Sequence, residues 1–268
     1  MKDYAFHLIS LVLLIYTGIC IIYFLIQERF IFVPLNFPEI FKPTVTTTCD
    51  EITIATTYGG SIHGLLIRKA KAKGLIFYLH GNTGNLKRWQ FMAEELADYG
   101  YDVFTIDYRG YGHSTGNRSE ASMHRDVETC FDEITSRFDY QRKIIYGRSL
   151  GAAFATRLAA RRKASLLILE TPFLNMHFIG KYYLPFLPTK YLLRYRFRSD
   201  LYIQNVTYPI HIFHGTSDRV VPHNHAQRLY SLAKNSSRTV NMTTINGGKH
   251  SNLNSFPLFR KKMEELLY

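Results

Sequence analysis

Gly147-Arg148-Ser149-Leu150-Gly151 sets a hydroxyl between two glycines, after the apolar run RKIIY and before the alanine-rich AAFATRLAA. At a strand-to-helix junction, G-x-S-x-G turns sharply enough to hold the serine above the strand ends, beside the N-terminus of the following helix. A hydroxyl is a weak nucleophile and needs a base within hydrogen-bond reach, itself oriented by an acid. Downstream, Asp218 follows the run PIHIFHG in the loop HGTSDRVVP, and His250 follows TVNMTTI in NGGKHSN. Ser149, Asp218 and His250, in that order at three expected strand ends, suit acyl transfer through a covalent serine intermediate. Glu170, which ends the run SLLILE, is the alternative acid. Other histidines are poorer bases. His80, His211 and His214 lie in or at the end of strands before the expected position. His223 and His225 sit at a helix start, and His113, His124 and His177 lack a preceding strand.

Attack on a carbonyl also builds negative charge on its oxygen, which two preorganised backbone donors can stabilise. The N–H of Leu150, directly after the serine, is one candidate. The other comes from the loop His80-Gly81-Asn82-Thr83-Gly84-Asn85, with Asn82 as the expected donor.

Such a site requires a sheet whose strand ends meet at one edge. EITIATT and SIHGLLIR, separated by Tyr58-Gly59-Gly60, read as a two-stranded hairpin. KGLIFYLHG, YDVFTIDY, RKIIYG, SLLILE, PIHIFHG and TVNMTTI read as further strands, the most apolar of them buried on both faces. Helical spacing falls between them, at about residues 85–99, 120–138, 150–162 and 223–234, and again at the C-terminus. Alternation of this kind predicts an α/β fold with a mostly parallel central sheet and helices on both faces.

The 268 residues carry 33 Lys+Arg against 21 Asp+Glu, a net charge of +12. With 46% apolar residues the chain can build a core, which excludes a disordered protein. Cys20, Cys49 and Cys130 form neither a disulfide framework nor a metal-ligand spacing, and the expected chemistry needs no metal or cofactor. Residues 137–198 hold 13 basic and 2 acidic residues, so nearly the whole excess lies there. Because this charge is interleaved with strands rather than massed in a terminal arm, no nucleic-acid partner is expected.

From Leu8 to Ile26 no residue is charged, a length of about 28 Å as a helix and close to a bilayer's hydrocarbon thickness. The run continues into Gln27-Glu28-Arg29 without a small-residue cleavage step, so residues 1–29 read as an uncleaved single-pass anchor. Lys2 before the span and Arg29 and Lys42 after it leave the side of the membrane unassigned. Residues 30–48, with three prolines, read as a linker, and 49–268 as the catalytic domain. Within that domain about 171–205 reads as a cap over the site. Between Thr171 and Ser199 it threads eight aromatics with Lys181, Lys190, Arg194, Arg196 and Arg198, and contains no acid. Two readings follow: aromatics at the membrane interface with cations on anionic lipid, or a packing insertion with solvated cations.

HGNTGN, DYRGYGHSTG (107–116), GRSLG, HGTSDRVVP and GGKHSN together resemble the α/β-hydrolases. They are most similar to the membrane-anchored serine hydrolases described as peptidase-like or α/β-hydrolase-domain proteins. The resemblance covers most of the chain, including the anchor followed by QERFIFVP. It implies the α/β-hydrolase fold, with Ser149, Asp218 and His250 as catalytic residues and Asn82 and Leu150 as oxyanion donors. Asp107, Arg109 and Gly112 match a loop that shapes the sheet edge. The expected function is hydrolysis of an ester or thioester of a lipid-like acyl group. The alternatives are a peptidase or aminopeptidase-like amide hydrolase and a non-catalytic, membrane-tethered interaction protein.

Overall fold

Period-two alternation within apolar strands decides the layers. In the computed structural model, which describes residues 2–35, 42–57, 59–235 and 239–268, strand β4 (Leu75–Leu79) is buried throughout. Leu75, Phe77 and Leu79 point into one core and Ile76 and Tyr78 into another, on opposite faces of the sheet. Residues 36–41, in the middle of the expected linker, and Tyr58 of the expected hairpin turn lie outside the described residues.

The sequence order begins with α1 (Lys2–Ile31), β1 (Val33–Pro34), β2 (Cys49–Ala55) and β3 (Ser61–Ile67), before β4. Next come β5 (Thr83–Gly84), α2 (Leu86–Ala97), β6 (Asp102–Ile106), α3 (Glu120–Arg137), β7 (Lys143–Arg148), α4 (Leu150–Ala159) and β8 (Leu166–Glu170). Three short helices follow, α5 (Met176–Tyr183), α6 (Thr189–Leu192) and α7 (Ser199–Tyr202). The chain ends with β9 (Ile210–Gly215), α8 (Asn224–Lys234), β10 (Val240–Ile245) and α9 (Pro257–Leu267). Eight strands form one sheet in the order β10-β9-β8-β7-β4-β6-β3-β2. From β10 to β6 every pairing is parallel. The hairpin β2–β3 adds the antiparallel edge, with Cys49 opposite Ile67 and Ala55 opposite Ser61. Helices α3, α4 and α8 cover one face and α2 and α9 the other.

Helix α1 has 30 residues, so it is about 45 Å long. Its most apolar stretch has no residue buried inside the structure. By length and composition it can cross a membrane. It continues two residues beyond the expected end of the anchor, and its last turns enter the body. Gln27 there is fully buried. Its Nε2 donates to the carbonyls of Phe24 and Leu192, at 2.9 and 3.0 Å, and its Oε1 accepts from the Arg194 N–H at 2.8 Å. Glu28 accepts from Tyr195 Oη at 2.8 Å and pairs with Arg194 at 3.0 Å. The stretch after the helix is no loose tether at its start: Val33 and Pro34 pair in parallel with Thr83 and Gly84.

Many of the cations between 137 and 198 are neutralised locally. Arg157, Arg161 and Arg162 surround Glu128, Arg162 also chelates Asp132, and Arg198 pairs with Asp200. The charge excess is therefore largely a feature of helix–helix faces and of the solvated edge.

Candidate active site

Parallel pairing brings the C-terminal ends of β4, β7, β9 and β10 to a single edge, where open α/β sheets place their sites. Ser149 stands between β7 and α4 with φ 53° and ψ −115°, a left-handed conformation that a serine adopts only when its surroundings impose it. The flanking glycines are required by close approach. A Cβ on Gly151 would collide with the Leu79 carbonyl, and one on Gly147 with the Gly151 carbonyl.

The three side chains singled out by the sequence meet here. Ser149 Oγ lies 3.0 Å from His250 Nε2, and His250 Nδ1 lies 2.8 Å from Asp218 Oδ2. With the ring proton on Nδ1 facing the carboxylate, Nε2 is left to accept from the serine hydroxyl. Asp218 Oδ1 accepts from the backbone N–H groups of Val220 and Val221, both at 2.8 Å. Burial opposes its ionisation, yet the hydrogen bonds from His214, His250 and Val221 outweigh burial and hold its carboxyl well below the usual range. Glu170, the alternative acid, is engaged elsewhere: it accepts from Tyr146 Oη at 2.6 Å and lies 3.4 Å from Arg148.

Asn82 and Leu150 line the same cavity as Ser149. Leu150 opens α4, whose first N–H groups have no partner within the helix. The loop carrying Asn82 is fastened from several sides. Tyr108 Oη donates to the His80 carbonyl (2.8 Å), Tyr111 Oη to the Asn82 carbonyl (2.7 Å), and Trp89 Nε1 to the Thr83 carbonyl (2.7 Å). From the N-terminal segment, the Val33 N–H donates to the Asn82 carbonyl at 3.0 Å. The side chain of Asn82 in turn donates to the Ile31 carbonyl at 3.2 Å. Asp107 and Arg109 are structural here, as the resemblance implies. Arg109 forks onto Asp126 and bridges to Thr56 and Gly59, while Asp107 lies buried beside His80.

Several contributors carry no sequence signature. His214 Nε2 lies 3.3 Å from Asp218 Oδ2, the same oxygen that His250 Nδ1 meets at 2.8 Å. Arg148 reaches from Glu170 to the His250 carbonyl, to which its Nη2 donates at 3.3 Å. The cavity of about 640 Å³ above Ser149 is walled by α5, by the loop before α6 and by α1. Gln27, a polar residue ending an apolar span, was the one hint that α1 docks. Among the described residues no group of three His, Cys, Asp or Glu side chains is arranged to hold a metal ion.

A family model described as serine aminopeptidase, S33, matches residues 70–194. Over 240 residues the chain is 28% identical to the Mycobacterium tuberculosis protein Rv2307c, covering 88% of this chain and 85% of that one. It is 36% identical over 183 residues to Danio rerio lysophosphatidylserine lipase ABHD12, covering 60% of this chain and 48% of the lipase. The chain thus matches about half of that relative's length. Pyrococcus furiosus esterase Pf2001 shares the fold, with a TM-score of 0.71 at 18% identity over 88% of this chain and 97% of that one.

Proposed function

We propose that the chain is a serine hydrolase of the α/β-hydrolase superfamily, cleaving an ester or thioester of a lipid-like acyl group. The observation that carries this reading is the chain of contacts Ser149 Oγ–His250 Nε2 and His250 Nδ1–Asp218 Oδ2, at 3.0 and 2.8 Å. His250 takes the hydroxyl proton as Ser149 Oγ bonds to the acyl carbon. The same proton passes to the alcohol or thiol as its bond to that carbon breaks. Water then attacks the acyl-serine, again losing its proton to His250, and the carboxylic acid leaves while Ser149 regains its hydrogen. Asp218 orients the imidazole and stabilises its charged form. The N–H groups of Leu150 and Asn82 receive the charge that develops on the carbonyl oxygen, a contribution of about 3 kcal/mol for one such donor.

Two observations favour an acyl ester over a peptide. The relative from Danio rerio is named a lipase and the structural neighbour an esterase. Among the described residues, no carboxylate lines the cavity to receive a peptide amine, whereas Phe173, Met176, Ile179 and Leu184 do line it. The amide-cleaving alternative rests on the family model's description as a serine aminopeptidase. We further read α1 as an uncleaved anchor, since its loss would leave the Leu192 carbonyl and the Arg194 N–H without Gln27.

A fluorophosphonate probe tests the chemistry. Wild-type protein is expected to label, and Ser149→Ala to lose both labelling and turnover, by about 10³-fold or more. Folded wild-type protein that does not label would favour the non-catalytic tethered scaffold instead. A panel of p-nitrophenyl esters beside aminoacyl amides ranks the substrate classes; preference for the amides would overturn the ester assignment.

A further inference from the structure

Helix α1 presents one stripe to the cavity. Ile19, Ile22, Tyr23, Ile26, Phe30 and Ile31 line it together with Ser149. Their spacing of three and four residues keeps them on a single helix face, and Ile19 to Ile31 spans about 18 Å along the axis. Exposure along the stripe is uneven: Ile19 is 48%, Ile22 58% and Phe30 66% exposed, Tyr23 and Ile26 are half-buried, and Ile31 is 9% exposed. The stripe is buried at Ile31, while its outer residues Ile19 and Ile22 stand exposed on the membrane-compatible part of the helix and Phe30 is exposed beside Ile31.

The cap follows the helix in the same direction. Tyr16 Oη donates to the Phe186 carbonyl at 2.9 Å, so the apolar turn Leu184-Pro185-Phe186-Leu187 between α5 and α6 reaches the level of the apolar span. Phe186 itself is 87% exposed. A large apolar side chain standing that free beside a membrane-crossing segment finds its favourable surroundings in lipid. The remaining cavity wall includes Leu184 and Leu187 from this turn, and Leu150 and Phe173 nearest the site.

We propose that α1 is a wall of the acyl site as well as an anchor, so that a long-chain acyl ester reaches Ser149 sideways from the bilayer. The carbonyl enters first, and the chain trails along the stripe from Ile31 to Ile19, with its far end still in lipid. Chain length is read on α1, with Ile22 and Ile26 as specificity-determining residues. This inference rests on the ester-hydrolase reading above and adds the substrate's route and its chain-length class.

The test uses the full chain in phosphatidylcholine vesicles, with p-nitrophenyl palmitate and p-nitrophenyl butyrate as probes. Ile22→Trp and Ile26→Trp place bulk in the groove, and Leu25→Trp places it on a lipid-facing side that does not line the cavity. The palmitate-to-butyrate ratio of kcat/KM is expected to fall about tenfold or more in the first two, the scale of a pocket misfit. In Leu25→Trp the ratio stays at the wild-type value. Equal ratios in all three variants overturn the proposal while leaving the hydrolase reading in place. Wild-type protein inert toward both esters and toward fluorophosphonate overturns the reading itself.

A second measurement needs no substitution. A long-chain alkyl fluorophosphonate with a diazirine at mid-chain, once attached to Ser149 and irradiated, is expected to crosslink to the peptide holding residues 19–31. Crosslinks confined to peptides of the catalytic domain overturn the proposal.

Discussion

Two histidine–aspartate pairs stand at the C-terminal edge of the sheet, each drawn from neighbouring strands. His80 follows β4 and Asp107 follows β6; His250 follows β10 and Asp218 follows β9. In the first pair both side chains are 0% exposed and Nε2 lies 3.4 Å from the carboxylate. The ring is stacked on Trp89, packed against Tyr108, and held through Nδ1 by the Gly81 carbonyl at 2.7 Å. In the second pair the His250 side chain is 18% exposed and its free face meets Ser149. The same two residue types therefore do different work. One pair braces the loop that carries Asn82; the other, in the reaction we propose, moves a proton, because it has an opening and the Ser149 hydroxyl on the ring's second nitrogen.

Asp218→Asn is the strongest way to break this contrast. An amide in that place cannot both accept from Val220 and Val221 and orient the Nδ1–H of His250. A loss in kcat of about 10⁴-fold is expected, the scale known for this substitution in other serine hydrolases, with the fold retained by circular dichroism. A drop of tenfold or less would show that His214 or another group can orient His250.

His80→Ala should act in the opposite sense. Removing a buried stacked ring beside Asp107 costs about 3 kcal/mol of stability, or about 6–12 °C in Tm for a domain of this size, measured by calorimetry. Turnover falls by only about tenfold, through the loosened loop. If Tm stays in place and turnover vanishes, His80 belongs to the chemistry and the two pairs are not distinct.

Acid titration supplies a smaller test. Burial, reinforced by nearby cations, pushes His211 and His225 down to about 4, against about 6.5 in the unfolded chain. Between these values the unfolded chain binds protons that the folded one refuses. Their contribution is thus intact above about pH 6.5 and lost as pH falls toward 4, by up to about 3 kcal/mol each. Asp218 behaves differently: its depressed carboxyl loses its contribution only as pH falls below the ordinary carboxylate range. Tm should therefore decline before Asp218 protonates, and His211→Gln or His225→Gln should flatten the decline. An unchanged slope in both variants would assign it to other groups.

The contrast also explains what was legible in the sequence. Ser149, Asp218 and His250 each follow a strand with a loop of recognisable composition, and parallel pairing brings such loops together whatever the intervening helices do. Asp218 already ranks above Glu170 in the sequence; what the sequence could not show is the reason Glu170 is engaged elsewhere, its contacts with Tyr146 and Arg148. That α1 lines the cavity left almost no trace. Hydropathy records how apolar a segment is, not which side of it faces lipid and which faces a cavity. Nor does a two-residue ribbon such as Val33–Pro34 against Thr83–Gly84 leave a pattern long enough to read.

That docking of α1 has a practical side for anyone wishing to handle the protein in water. Cutting the chain at residue 49 would remove Gln27 from the backbone groups of Leu192 and Arg194. It would also strip Phe32 from Tyr195 and Phe197, and Val33 from the loop of Asn82. The shortened molecule would not be the same body with its N-terminal helix simply released. It would be one with a missing cavity wall, an exposed aromatic seam and a loosened Asn82 loop, and any activity measured on it would describe that molecule alone.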